Sequence, residues 1–130
     1  MIDLTHAELF QDLTTIDYEN SFFDLHNDYA CTGIDYQSAN KTVGFLFQPI
    51  TKDSGKKVLL LQFEDALIAS FSVNLRRTAD SNTLDLFYRG RFEISGKLFD
   101  FHPDGGGVFY IDFWEGDSFT ISSKKVTLMF

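Results

Sequence analysis

The chain holds one cysteine and two prolines, and no lysine or arginine occurs among its first 40 residues. A single thiol, Cys31, cannot close an internal disulfide or build a cysteine-based metal cluster. Lying in an apolar–polar run, Cys31 reads as a small buried hydrophobe rather than a nucleophile. Pro49 and Pro103 stand too far apart to make a proline-rich linker, and no low-complexity tract or internal repeat is present. No strongly apolar run exceeds four residues (58–61 is one), whereas a membrane helix needs about 20. Met1-Ile2-Asp3-Leu4-Thr5-His6 lacks the basic and apolar regions of a secretory signal, so the expected location is cytoplasmic and no membrane partner is expected. The motifs of P-loops, serine-hydrolase elbows and zinc metalloproteases are also missing. Gly105-Gly106-Gly107 follows Asp104 and precedes an apolar strand pattern, which suits a hairpin loop better than a phosphate cradle.

What is present begins with phenylalanine, at 15 of 130 residues. Those rings can fill the core of one β-rich domain spanning residues 1–130. The net charge of −8 is unevenly placed. Residues 1–40 carry eight carboxylates and no base, whereas residues 41–130 carry eleven of each and balance. Without a basic patch, binding to nucleic acid through phosphates is excluded. An acidic N-terminal third instead suits a basic protein partner, or serves simply as a solvated face.

Periodicity gives the expected fold. Thr5-Xaa-Xaa-Glu8 is a capping-box pattern, and Leu9, Phe10 and Leu13 follow at helical spacing, with Ile16 a further candidate. The spacing predicts a short helix over about 6–14. From about Tyr29 the period becomes two. Val43, Phe45 and Phe47 share one face up to Pro49, which cannot donate to a central ladder. Residues 58–63 are apolar on both faces, as in a central strand. Leu67, Ala69, Phe71, Val73 and Leu75 alternate with more polar positions. Asp53-Ser54-Gly55 and Glu115-Gly116-Asp117 are turn signals, and Val126, Leu128 and Phe130 close the chain on one face. The expected class is α+β: about eight mostly antiparallel strands, curled into a barrel or folded as a sandwich, behind a short N-terminal helix.

Two segments repeat a local frame that could hold a cation, Asp24-Leu25-His26-Asn27-Asp28 and Asp100-Phe101-His102-Pro103-Asp104. On a strand such alternate positions share a face. Turn chemistry accounts for the same residues, and no cofactor or metal is expected. The remaining carboxylates form no pair that spacing singles out for acid–base work, so no catalytic residue is assigned and the protein is read as a non-enzyme.

Three stretches carry a family likeness. Asn20-Ser21-Phe22-Phe23-Asp24 leads into a strand ending Gly33-Ile34-Asp35-Tyr36; Val58-Leu59-Leu60-Leu61-Gln62-Phe63-Glu64-Asp65 follows; and Phe109-Tyr110-Ile111-Asp112-Phe113 precedes a glycine turn. The chain thereby resembles small β-rich immunity proteins of bacterial polymorphic-toxin systems. That resemblance implies a non-catalytic inhibitor that binds a toxin. Joined to the charge map, it places the acidic contacts on Asp12, Asp17, Glu19, Asp24 and Asp28, with Tyr18 and Tyr29 as aromatic anchors. A β-barrel holding a small apolar ligand among its phenylalanines is the alternative.

Overall fold

Val43, Phe45 and Phe47 are fully buried, and so are Leu59, Leu61 and Phe63 on the neighbouring strand; these two rows form one half of the core. In a computed structural model that describes residues 1–5, 14–18, 20–75, 81–99, 103 and 106–130, the chain forms thirteen strands. They are β1 (Ile2–Asp3), β2 (Thr15–Tyr18), β3 (Ser21–Asp24), β4 (Tyr29–Gln37), β5 (Thr42–Pro49), β6 (Leu59–Glu64) and β7 (Leu67–Ser72), followed by β8 (Leu84–Arg89), β9 (Phe92–Ile94), β10 (Lys97–Phe99), β11 (Gly107–Phe113), β12 (Ser118–Ser123) and β13 (Lys125–Met129). All named pairings are antiparallel. A five-stranded sheet runs β1-β13-β6-β5-β4, a four-stranded sheet runs β7-β12-β11-β8, and β2-β3 and β9-β10 are two-stranded ribbons.

This corrects the expected class. The described residues contain no helix, and neither large sheet closes on itself, so the architecture is all-β and the barrel does not form. The helix expected over 6–14 falls mostly on residues outside the described set, and what flanks it follows strand chemistry. Thr5, read as the helix cap, takes the Val126 backbone N–H on its hydroxyl at 3.1 Å, and Leu4 donates to the Val126 carbonyl at 2.8 Å. Its capping oxygen is therefore committed to β13. Thr14 lies in a turn, and Thr15 and Ile16, both β-branched, enter β2 with Ile16 fully buried.

The two large sheets face each other through aromatic rings. Phe45 meets Phe119 edge-on at 5.5 Å, and Phe63 touches Phe109 at 5.1 Å and stacks with Phe87 at 6.0 Å. These offset and edge-to-face contacts between β5–β6 and β8–β11–β12 close a dry, ring-filled interior. At one side the sheets are continuous through a bend. β6 passes into β7 as β12 passes into β13, and the bend is held by Ser123 Oγ donating to the Glu64 carbonyl at 2.8 Å. Asp65 turns this corner at φ 47°.

β8 spans the five-stranded sheet from edge to edge. Just before it, Asn82 exchanges two 2.8 Å backbone hydrogen bonds with Cys31 on β4; at its end, Arg89 Nη2 donates to the Thr5 carbonyl beyond β1 at 3.1 Å.

Two local expectations, at Pro49 and at the Glu115-Gly116-Asp117 turn, hold. Pro49 pairs only with Tyr29 on β4, and the β5–β6 ladder stops at Phe47. Gly116, at φ 104°, makes the turn after β11 that Glu115-Gly116-Asp117 predicts. Among the described residues no helix is long and apolar enough to cross a membrane.

Candidate functional site

β7 departs from the simplest reading of its alternation. Phe71 pairs with Phe119 across β12, and Ile68 pairs with the buried Ile121, with the register shifting between Thr120 and Ile121. The shift inserts Ala69 as an extra residue, which puts Ile68 and Phe71 on the same inner face although they stand three apart. Val73 follows Phe71 on that face. Yet Phe71 is 69% exposed and Val73 is also exposed. The reason lies in the opposite sheet, which ends at β4 and offers no strand to cover them.

The result is an open seam between the edges β4 and β7. Ile34 and Tyr36 line it from β4, Ile68 and Phe71 from β7, Val73 from the residue just past β7, and Phe119 forms part of its floor. Its volume is about 530 Å³, inside the range of about 300–1,000 Å³ usual for ligand-binding clefts. The deep end carries Cys31, Asn82 and Asp117. Asp117 is buried and accepts hydrogen bonds from the Asn74 N–H at 2.6 Å and Asn82 Nδ2 at 3.1 Å. A carboxylate only accepts, so the Asn82 amide nitrogen must face it and the Asn82 oxygen must face away. That oxygen, Oδ1, belongs to a residue only 4% exposed and has no hydrogen-bond partner among the described residues. An unmet buried acceptor is costly, and this one is closed off from solvent.

Backbone groups along β4 are unmet as well. Cys31 directs its N–H and C=O outward to Asn82, so its partner on β5, Phe47, directs its own toward β6. Phe45 and Val43, two and four residues away on an unbroken β5–β6 ladder, do the same. Their partners on β4, Ile34 and Tyr36, consequently turn their N–H and C=O away from the sheet, where no described residue meets them. Apolar surface continues outside the seam on Leu67 and Leu75, the latter 89% exposed, while Trp114, in the turn after β11, is 73% exposed.

The residues singled out in the sequence are not gathered into one acidic face. Asp12 and Glu19 lie outside the described residues, and for Tyr18 only its place on β2 is described. Asp17 is exposed on the β2–β3 ribbon opposite the exposed Phe22. Asp24 closes a turn: Oδ1 accepts the N–H groups of His26 at 3.1 Å and Asn27 at 3.0 Å, and Oδ2 accepts Asn27 Nδ2 at 2.8 Å. Partial burial pushes its carboxyl up, but the hydrogen bonds from Asn27 and His26, with the His26 charge, outweigh this and hold it below 3.8. Asp28 pairs with Lys56 at 3.5 Å. Tyr29 is corrected outright. At 2% exposure, packed edge-on against Phe23, it is core and cannot anchor a partner. Burial, reinforced by Asp28, raises its phenol above 10.0.

The first Asp-Xaa-His-Xaa-Asp frame is a turn rather than a strand, with His26 Nδ1 against the Leu84 carbonyl. In the second frame, Asp100, His102 and Asp104 lie outside the described residues. Among the described residues no three His, Cys, Asp or Glu side chains are placed to share a metal ion.

Sequence reasoning missed the seam. Its one visible signal was β7, where Ile68 breaks an otherwise regular alternation and makes both faces apolar. The chain matches no protein-family model and no curated protein, so the site rests on its own chemistry.

Proposed function

We propose that this chain is a non-catalytic binding protein that captures another protein in the β4–β7 seam. The observation that carries the reading is Phe71, a large ring on the inner face of a strand, left 69% exposed because no described strand covers it. Exposed apolar surface of this extent favours a protein interface, and partly buried rings in a concave setting are the usual anchors. The net charge of −8 favours a basic partner and speeds encounter with one. An inhibitor of a cationic toxin, the role implied by the resemblance to immunity proteins, is the form of this function we favour.

The test is affinity capture from the producing cells with the wild-type protein and with Phe71→Asp. The seam is the site if one basic protein is retained by the wild type and lost by the variant, since removing an interface anchor costs about 2 kcal/mol or more, roughly 30-fold in affinity. Equal retention by both proteins refutes it. The same volume and its apolar lining favour a second reading, a small apolar molecule. Native mass spectrometry of the purified protein separates the two, because a bound small molecule adds a discrete mass below that of any peptide chain.

A further inference from the structure

We propose that the occupant of the seam is an extended segment of a basic protein, added as a sixth strand to the free edge of β4. The inference rests on the reading of the seam as a capture surface and specifies how capture occurs. Three observations converge on a strand. Ile34 and Tyr36 present N–H and C=O groups outward with no described partner, at the repeat that an incoming strand needs. Phe71 and Val73 face inward from the opposite sheet where the five-stranded sheet stops short, so a strand beside β4 is the layer they lack. Among the described residues the edge is blocked at Cys31, where Asn82 already forms the bridge, so the added strand starts beyond that point.

The seam also fixes the side-chain pattern of the segment. Residues on its inner face lie over Phe71, Val73 and Phe119 and must be apolar. Alternate residues face the outer surface beside the exposed Asp35, whose carboxylate favours a lysine or arginine directly across the strands. This local charge agrees with the net charge of −8. The segment therefore alternates apolar and basic residues and contains no proline within the paired stretch.

A displayed library of random peptides, panned on the folded protein and counter-selected on Phe71→Asp, supplies the probe. Because Phe71 is mostly exposed, that variant keeps its fold. The expected winners alternate apolar and basic residues. The best of them should slow hydrogen exchange at the Ile34 and Tyr36 amides about tenfold or more. N-methylation of its alternate amides in the register that faces β4 should weaken binding about tenfold or more, whereas methylation shifted by one residue should leave it unchanged. Peptides that depend on Phe71 but tolerate both methylation patterns, or leave the two amides unprotected, overturn strand addition while preserving the seam as a capture surface. An absence of any Phe71-dependent peptide overturns both.

Discussion

Phe45 and Phe71 carry the same side chain on inner faces of opposing sheets, and the structure predicts very different consequences for truncating them. Phe45 is fully buried and touches Phe63 at 5.9 Å, Phe113 at 6.2 Å and Phe119 at 5.5 Å. Phe45→Ala removes its transfer energy and leaves a cavity, together costing about 3–5 kcal/mol. With a urea slope of about 2 kcal/mol/M, that lowers the unfolding midpoint by roughly 2 M. Phe71 is 69% exposed and has already given up most of what burial would contribute. Phe71→Ala should stay within about 0.5 kcal/mol, as exposed substitutions usually do. Urea unfolding followed by far-ultraviolet circular dichroism measures both. Comparable losses for the two variants would mean that Phe71 is packed in solution and that the seam is closed, which would refute the functional account along with the fold.

Other outcomes follow from single contacts. Asn82→Ala leaves buried Asp117 Oδ2 without one donor and should cost about 1–3 kcal/mol in the same assay. For Asp24, whose folded carboxyl titrates below its ordinary value, the stability it contributes is present above 3.8 and is lost as pH falls through the lower folded value. Stability measured from about pH 5 down to pH 2 should therefore fall less steeply for Asp24→Asn than for the wild type, and parallel curves would contradict this. Tyr29 should ionise above 10.0, and ultraviolet difference titration of wild type against Tyr29→Phe should show a missing late component rather than a missing early one.

Much of the core was legible from period-two alternation. Val43, Phe45 and Phe47, and then Val126 and Leu128, are buried as their spacing predicts, because strands inside a sheet have neighbours wherever their apolar face points. The same rule misleads on β7. Alternation identifies a strand and its two faces, but it cannot tell whether the opposing sheet extends far enough to cover one of them, and the extra residue at Ala69 reverses the parity midway. The N-terminal helix was misread for a related reason: Thr5-Xaa-Xaa-Glu8 has the local form of a cap, yet the Thr5 hydroxyl meets Val126, 121 residues away. The role of Asn82 depends on Cys31 and on Asp117, 35 positions later, partners that no local pattern reveals. Tyr29 was read as an aromatic anchor, but its ring belongs to the inward face of β4.

Hydrogen exchange of the protein bound to its captured partner tests the central claim most directly. Slowed exchange at residues 34 and 36 of β4 and across β7 around Phe71, with the β2–β3 ribbon unchanged, is the predicted footprint. Protection confined to the β2–β3 ribbon around Asp17, with the seam exchanging as in the free protein, would contradict it.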